Sequence, residues 1–270
     1  MREQYINKVQ KWVKGILPFY LFTFLPFFVA CDHIAEGDEL IRVKQEPAQR
    51  VVLLEDFTGQ RCINCPLGSE VIEQLQEVYG DTVVAVGIHS GPLGFKGNAK
   101  NVGLATDLGD EYYNHWNLEY QPVGLINRLG VVNYTDWAKA VKEELAKTSA
   151  IDLKANAVLK EGTIDIAIEA VGKENTVSGK MQIWVLEDGI TAMQLMPDGS
   201  TNREYVHNHV FRTAVNGTWG EEFTINEGET KKLTHKQVVE PAWNTTNLSI
   251  VAFVYNDSGV EQAVKTGVRR

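Results

Sequence analysis

The residues of this chain best suited to chemistry are two closely spaced cysteines. Cys62-Ile63-Asn64-Cys65 is a C-x-x-C pair, which can form a disulfide, exchange it with other thiols, or supply half of a zinc site. The sequence holds one further cysteine, Cys31, and no second C-x-x-C pair. A zinc site would therefore lack two of its four ligands. Three cysteines are also too few for a fold that is held together by disulfides. A redox pair is the favoured interpretation.

The residues around the pair predict a turn from a strand into a helix. Residues 51–57 form a short apolar run that is typical of a buried strand. After the pair, apolar residues recur at helical spacing up to Gly80, which can end the helix. The Cys62 thiolate would then lie among free helix N-terminal amides and beside Arg61, and both favour the anion. A second apolar run at 82–88 completes a βαβ unit.

The following segments continue a recognisable order of elements. A mixed helical stretch spans about 99–116, a strand begins near Pro122, a short hairpin follows, and Thr135 precedes a last helix. In this order, residues 49–150 resemble a thioredoxin-like α/β domain. Ile63 and Asn64 depart from the Gly-Pro of that family, and Arg61 departs from its Trp.

The thioredoxin resemblance implies roles for individual residues. It makes Cys62 the nucleophile and Cys65 the resolving cysteine. It makes Asp56 the buried acid that assists proton transfer to the resolving thiol. It implies a cis peptide bond before Pro122, with the backbone of Gln121 facing the disulfide and pairing with substrate.

In the second half of the chain, the apolar residues recur with the period of strands. From residue 151 onward, apolar residues alternate with polar ones in short runs separated by turns, which predicts an immunoglobulin-like β-sandwich over 151–270. His207 and His209 would share one face of a strand, either as metal ligands or as a structural pair. His89 ends a predicted strand and either approaches the dithiol or is an ordinary loop histidine. No metal site and no cofactor are predicted.

The N-terminus has the pattern of an export signal. Four basic residues and one acid precede an uncharged run from Gly15 to Ala30, which is short for a membrane span. This run ends at Cys31 and resembles a lipobox, although Phe28 stands where Leu is usual. The resemblance implies that residues 1–30 are removed, that Cys31 is diacylated, and that 31–48 form a tether.

Composition and a second resemblance narrow the function. The 270 residues carry a formal charge of −9 without long basic runs, so a nucleic-acid partner is excluded. Residues 55–66 and 205–210, with the lipoprotein start, resemble Bacteroidetes outer-membrane lipoproteins typified by an Omp of roughly 28 kDa. The resemblance implies a lipid-anchored outer membrane protein. We expect thiol-disulfide exchange with envelope or surface proteins; the alternative is a binding or structural lipoprotein whose disulfide is inert.

Overall fold

The protein is described here from a computed structural model that covers residues 46–270. Residues 46–270 belong to one compact unit. The described chain contains three short α-helices: α1 Cys65–Tyr79, α2 Asp107–His115 and α3 Trp137–Leu145. It contains sixteen strands: β1 Ala48–Gln49, β2 Val52–Thr58, β3 Val83–His89, β4 Val123–Ile126, β5 Val131–Asn133, β6 Thr148–Ser149, β7 Ile151–Lys160, β8 Thr163–Gly172, β9 Val177–Glu187, β10 Ile190–Leu195, β11 Thr201–His207, β12 Val210–Ala214, β13 Glu221–Ile225, β14 Thr230–Val238, β15 Leu248–Asn256 and β16 Gly259–Arg269.

Twelve of these strands belong to one mixed sheet. Its strand order is β14-β8-β7-β16-β15-β9-β12-β3-β2-β4-β5, with β13 paired to β9 outside this path. The two halves of the chain meet where β12 runs parallel to β3, with Val210 opposite Gly87. At this seam the amide of Gly87 donates a 2.8 Å hydrogen bond to the carbonyl of His209. Two strand pairs, β1-β6 and β10-β11, lie outside the sheet.

The expected fold class, a thioredoxin-like α/β domain followed by a sandwich, is wrong. The described chain is mostly β, its helices are few and short, and a thioredoxin-like α/β domain is not evident within it. The predicted helix at 99–116 is only the shorter α2, and the predicted strand at 82–88 is β3, which pairs with β12 from the second half of the chain. The all-β character predicted for the second half agrees with β7 to β16.

Apolar side chains fill both faces of the sheet. On one face, a buried cluster joins residues of both halves, with Phe57 and Val86 from the first half and Trp184 and Phe253 from the second. On the other face, α1 and α3 cover β2 and β3, while β7, β8 and β14 cover β9 and β15. The alternation of apolar residues along each strand explains how both faces are buried.

The helices pack closely because two glycines leave room for Trp137, which is fully buried. A Cβ atom on Gly124 would lie 2.6 Å from Trp137 Nε1, and one on Gly68 would lie 3.3 Å from the same indole ring. The indole donates a 3.1 Å hydrogen bond to the carbonyl of Val132. These contacts fix α1 against α3 and β4, and so fix the cysteine pair at the start of α1.

Two findings bear on the membrane. Among residues 46–270, the helices are all too short or too polar to span a bilayer. Cys31 and the predicted signal at 1–30 lie outside the described residues, as does most of the predicted 31–48 tether.

Candidate functional site

The cysteine pair is a disulfide at the start of α1. Cys62 and Cys65 are bonded to each other, with their Cα atoms 5.4 Å apart. Cys65 is the first residue of the helix, and Pro66 occupies its first turn, where a missing amide proton costs nothing. The amide of Cys62 donates to the carbonyl of Gly59 at 3.0 Å, which closes the turn between β2 and the helix.

Asp56 lies on β2 and is buried beneath this turn. Among the described residues its Oδ1 atom has no hydrogen-bond partner. Burial raises the pKa of Asp56 to about 8, because removal from water disfavours the charged carboxylate. Asp56 and Cys65 line the same small cavity. A carboxyl group with this pKa can accept or return a thiol proton near neutral pH.

Gln121 and Pro122 lie beside α1 and the ends of β2 and β3. The peptide bond between them is cis. A Cβ atom on Gly68 would lie 3.3 Å from Pro122 Cβ, which places the proline one helical turn from Cys65. The Gln121 side-chain amide donates to the carbonyls of Thr58 and Ser90 at 2.6 and 3.0 Å, bridging the ends of β2 and β3.

A hairpin from the second half of the chain covers the disulfide. We call β10, β11 and their turn, residues 190–207, the covering hairpin. Its Gln194 side chain, 2% exposed, donates to the carbonyls of Cys62 and Gly59 at 2.8 and 3.3 Å. In return, the buried Gln60 side chain donates to the carbonyl of Met193 at 3.1 Å. These contacts join the cysteine turn to the covering hairpin.

The surface around the pair is partly apolar, although the cysteines themselves are buried. Cys62 and Cys65 are each 2% exposed, whereas Ile63 is 46% and Tyr120 is 47% exposed. The Arg61 guanidinium lies over the Phe95 ring, 4.8 Å from its centroid, so a cation–π contact holds this positive charge.

Two histidines complete the cavity beside Cys65. His89 ends β3 and His207 ends β11, and their rings are 5.1 Å apart. Burial lowers the pKa of His89 well below its ordinary value, and the nearby His207 and Arg212 lower it further. Burial also lowers the pKa of His207 to about 4. Both rings are therefore neutral at pH 7.

The predicted pairing of His207 with His209 on one strand face does not occur. His209 follows β11, has a positive φ of 57°, and places its Nδ1 atom 3.1 Å from Asp188 and 3.2 Å from Lys265 Nζ. His207 instead contacts Tyr205, with ring centroids 4.8 Å apart. Residues 46–270 contain no group of three or more His, Cys, Asp or Glu side chains that could hold a metal ion.

The structure brings Asp56, Cys65, His89 and His207 to one cavity. Sequence reasoning left open whether either histidine belongs to a functional site. It had missed Gln60 and Gln194 altogether. Gln60 lies two residues before Cys62 and could have been noticed on position alone. Gln194 carries no such signal, because it comes from a strand more than a hundred residues away.

The chain is similar in sequence to one protein family and in fold to several solved structures. The family model described as "Outer membrane protein Omp28" matches residues 109–270. HBP35 of Porphyromonas gingivalis has 14% identity and a TM-score of 0.63, with 82% of this chain and 76% of that one covered. A protein of Agrobacterium tumefaciens has 16% identity and a TM-score of 0.51, with 82% and 95% covered.

A domain of the outer membrane lipoprotein Omp28 from Porphyromonas gingivalis has 30% identity, with 45% of this chain and 89% of that one covered and a TM-score of 0.35. No curated protein matches the chain in sequence. The fold and site define a mostly β protein with a buried disulfide beneath a hairpin. The chain belongs to the Omp28 family of outer membrane proteins, as the sequence resemblance predicted, and its location is the outer membrane.

Proposed function

We propose that this outer membrane protein exchanges thiols and disulfides with other proteins through Cys62 and Cys65. One observation carries the proposal: the unpartnered, buried carboxyl group of Asp56 and the disulfide residue Cys65 line one cavity. A structural disulfide does not require a buried proton acceptor beside it. Because a buried, unpartnered carboxyl group destabilises the fold, its presence favours a role in proton transfer. Exposed Ile63 and Tyr120 offer apolar surface to a protein substrate.

The exchange balances in atoms and electrons. The Cys62 thiolate of the reduced protein attacks a substrate disulfide, whose S–S bond breaks as a mixed disulfide with Cys62 forms. The Cys65 thiol gives its proton to the Asp56 carboxylate, and its thiolate attacks Cys62 Sγ. The second substrate sulfur leaves with the electron pair, and the substrate gains two electrons in total. An external dithiol then reduces the protein pair, or the cycle runs in reverse.

Trapping of mixed disulfides tests this proposal. In Cys65→Ala, the reaction stops at the Cys62 adduct, so disulfide-linked partners are expected to accumulate on that variant and to disappear in Cys62→Ala. The reduction potential of the wild-type Cys62–Cys65 disulfide is expected to lie within the range of known exchange proteins, so that dithiothreitol reduces it completely. Absence of any Cys62 adduct, together with a pair that resists reduction, would contradict exchange.

A second candidate is a binding protein whose disulfide is inert. The burial of both sulfur-bearing residues, at 2% exposure each, together with the Gln194 contact to Cys62, favours it. This candidate predicts that Cys62→Ser/Cys65→Ser retains every partner of the wild-type protein. Exchange predicts loss of the covalent partners in the same variant, so one comparison separates the two.

We further propose that Cys31 anchors the protein through lipid. The uncharged run that ends at this cysteine and the outer membrane location support the anchor. Replacement by Cys31→Ser is expected to move the protein from the membrane fraction to the soluble fraction and to remove the acyl mass from the mature N-terminus. Unchanged mass and fractionation would contradict it.

A further inference from the structure

The cavity beside Cys65 carries more unpartnered polar atoms than packing explains. Within the described chain, Asp56 Oδ1, His89 Nδ1 and His207 Nε2 are buried without a hydrogen-bond partner. All three residues line this cavity. Three orphaned polar atoms around one space each incur a desolvation penalty unless something in that space binds them.

The cavity has the size and chemistry for water. Its volume is about 40 Å³, and a buried water needs on the order of 10 to 15 Å³ and two to four polar partners. The His207 ring already hydrogen-bonds to the backbone of Ala192 and Met193 through its other nitrogen. Nε2 of this neutral ring is therefore an acceptor. The protonated Asp56 carboxyl is a donor, so a water between them would find both kinds of partner.

We propose that ordered water in this cavity links Asp56 to His207 and His89, and that His207 positions this water to carry away the proton that Asp56 takes from Cys65. The inference rests on the proposed exchange reaction. The water takes a proton from Asp56 as it passes one of its own to the solvent that reaches the open side of the cavity, so Asp56 becomes a carboxylate again and charge does not accumulate. The covering hairpin thus contributes directly to the site through His207.

Other charged groups around the cavity set its proton balance. Tyr205 contacts Ser69 on α1, and Glu70 and Glu73 lie on the same helix near Tyr205. Arg212 on β12 lies near His89, but it forms a 2.8 Å ion pair with Glu187. His209 also borders the cavity and is held by Asp188. Ser69 and Glu73 line the cavity together with Asp56, whereas Arg212 and His209 are held by their own carboxylate partners. The two unpartnered histidine nitrogens therefore remain available to bind water.

The test separates the two cysteine steps. Reduced protein reacts with dithiobis(nitrobenzoate): attack by Cys62 breaks its S–S bond and releases the first thionitrobenzoate anion, and attack by Cys65 on the Cys62 adduct releases the second. The variant His207→Phe keeps the ring contacts with His89 and Tyr205 but removes the acceptor. We expect it to slow the second release about tenfold while the first release stays unchanged, because only the second step needs proton transfer to Asp56.

Two variants control this measurement. His207→Gln can place an amide oxygen near the Nε2 position, so it is expected to recover much of the second rate. His235→Phe replaces a histidine on β14 that pairs with Glu221 at 2.9 Å, and it is expected to leave both rates unchanged. Equal slowing in His207→Phe and His207→Gln, or equal slowing of both steps, would mean a packing effect and would overturn the relay.

A second readout does not depend on exchange. A high-resolution crystal structure of the oxidised protein is expected to show water within hydrogen-bond distance of both Asp56 and His207. A dry cavity would overturn the inference even if exchange is fast. If Cys62 fails to react in the first step, the proposed function fails, and the crystal structure still decides whether the water link exists.

Discussion

At the scale of single residues, two neighbouring carboxyl groups on β2 have opposite surroundings. Asp56 points to the α1 side and has no side-chain partner for Oδ1 among the described residues. Glu55 points to the other face and accepts hydrogen bonds of 2.9 to 3.2 Å from the buried Arg128. Strand geometry alone separates them, because successive side chains leave a strand on opposite faces.

The pH dependence of stability should reveal Asp56. Its pKa rises from 3.8 to about 8 on folding, so the folded state holds an extra proton between these values and loses stability as pH increases through that window. Asp56→Asn removes this loss. Its free energy of unfolding relative to wild type is expected to rise by roughly 4 kcal/mol between pH 4 and pH 8.

Urea unfolding of the oxidised protein at several pH values measures this difference. The matched control is Asp81→Asn, which replaces an exposed carboxyl in the turn after α1 and should follow wild type throughout. A constant difference between Asp56→Asn and wild type from pH 4 to pH 8 would mean that Asp56 titrates as it does in water.

Breaking the Glu55–Arg128 ion pair should be costly. The Arg128 guanidinium lies 4.4 Å from the Tyr255 ring centroid and 4.8 Å from that of Phe253, where water cannot replace the carboxylate. Glu55→Gln is expected to lower the free energy of unfolding by about 3 to 5 kcal/mol. Glu55→Leu/Arg128→Met, which removes both charges, is expected to lose much less. Equal losses in the two variants would show that packing, not the unpaired charge, dominates.

At the scale of elements, the covering hairpin controls access to the cysteine pair. Within residues 46–270, a small set of contacts holds it over the disulfide: those of Gln194 and Gln60, a 3.0 Å hydrogen bond from the amide of Leu195 to the carbonyl of Gln60, the contact of Tyr205 with Ser69, and the packing of Ala192 against Leu104. It forms a two-stranded sheet separate from the main one. An element with so few anchoring contacts can open locally at a free energy well below that of global unfolding.

Removal of one anchor should expose the disulfide. Gln194→Ala deletes the hydrogen bonds to Cys62 and Gly59, which contribute about 1 kcal/mol each. The rate of reduction by dithiothreitol is therefore expected to rise roughly thirtyfold. Asn202→Ala, on the exposed part of the same hairpin, should reduce at the wild-type rate. An unchanged rate in Gln194→Ala would mean that the hairpin does not limit access.

Sequence patterns located the elements near the cysteines but not the element above them. The apolar runs that became β2 and β3 and the helical spacing after Cys65 predicted a strand, a helix and a strand, and the structure contains them as β2, α1 and β3. Gln194 could not be found in this way. A buried glutamine on a polar hairpin has no periodicity, and its hydrogen-bond acceptors are backbone carbonyls that any residue provides.

At the scale of the whole molecule, the main sheet passes through both halves of the chain. The seam between β3 and β12 was invisible in the sequence, because the apolar residues of β3 fit a buried strand whichever neighbour it has. The predicted fold class, an α/β domain followed by a sandwich, is therefore wrong where it assigns no sheet common to both halves. The cluster that includes Phe57, Val86, Trp184 and Phe253 is completed only when both halves fold together.

This shared core predicts one cooperative unfolding transition for residues 46–270. A fragment that ends at residue 150 leaves the apolar face of β2 and β3 uncovered, so it should give no cooperative transition by circular dichroism. Phe211→Ala at the seam should lower the stability of the whole chain by about 3 to 5 kcal/mol. Cooperative melting of the fragment would instead support an independent domain with a boundary near residue 150.

The order of strands also determines how copies of the protein meet one another. The path through the main sheet ends at β14 and β5. β14 carries three lysines, Lys231, Lys232 and Lys236, and β5 is only three residues long. Unprotected strand edges favour pairing between copies of a protein. We expect the charge on one terminal strand and the shortness of the other to disfavour edge-to-edge pairing of copies.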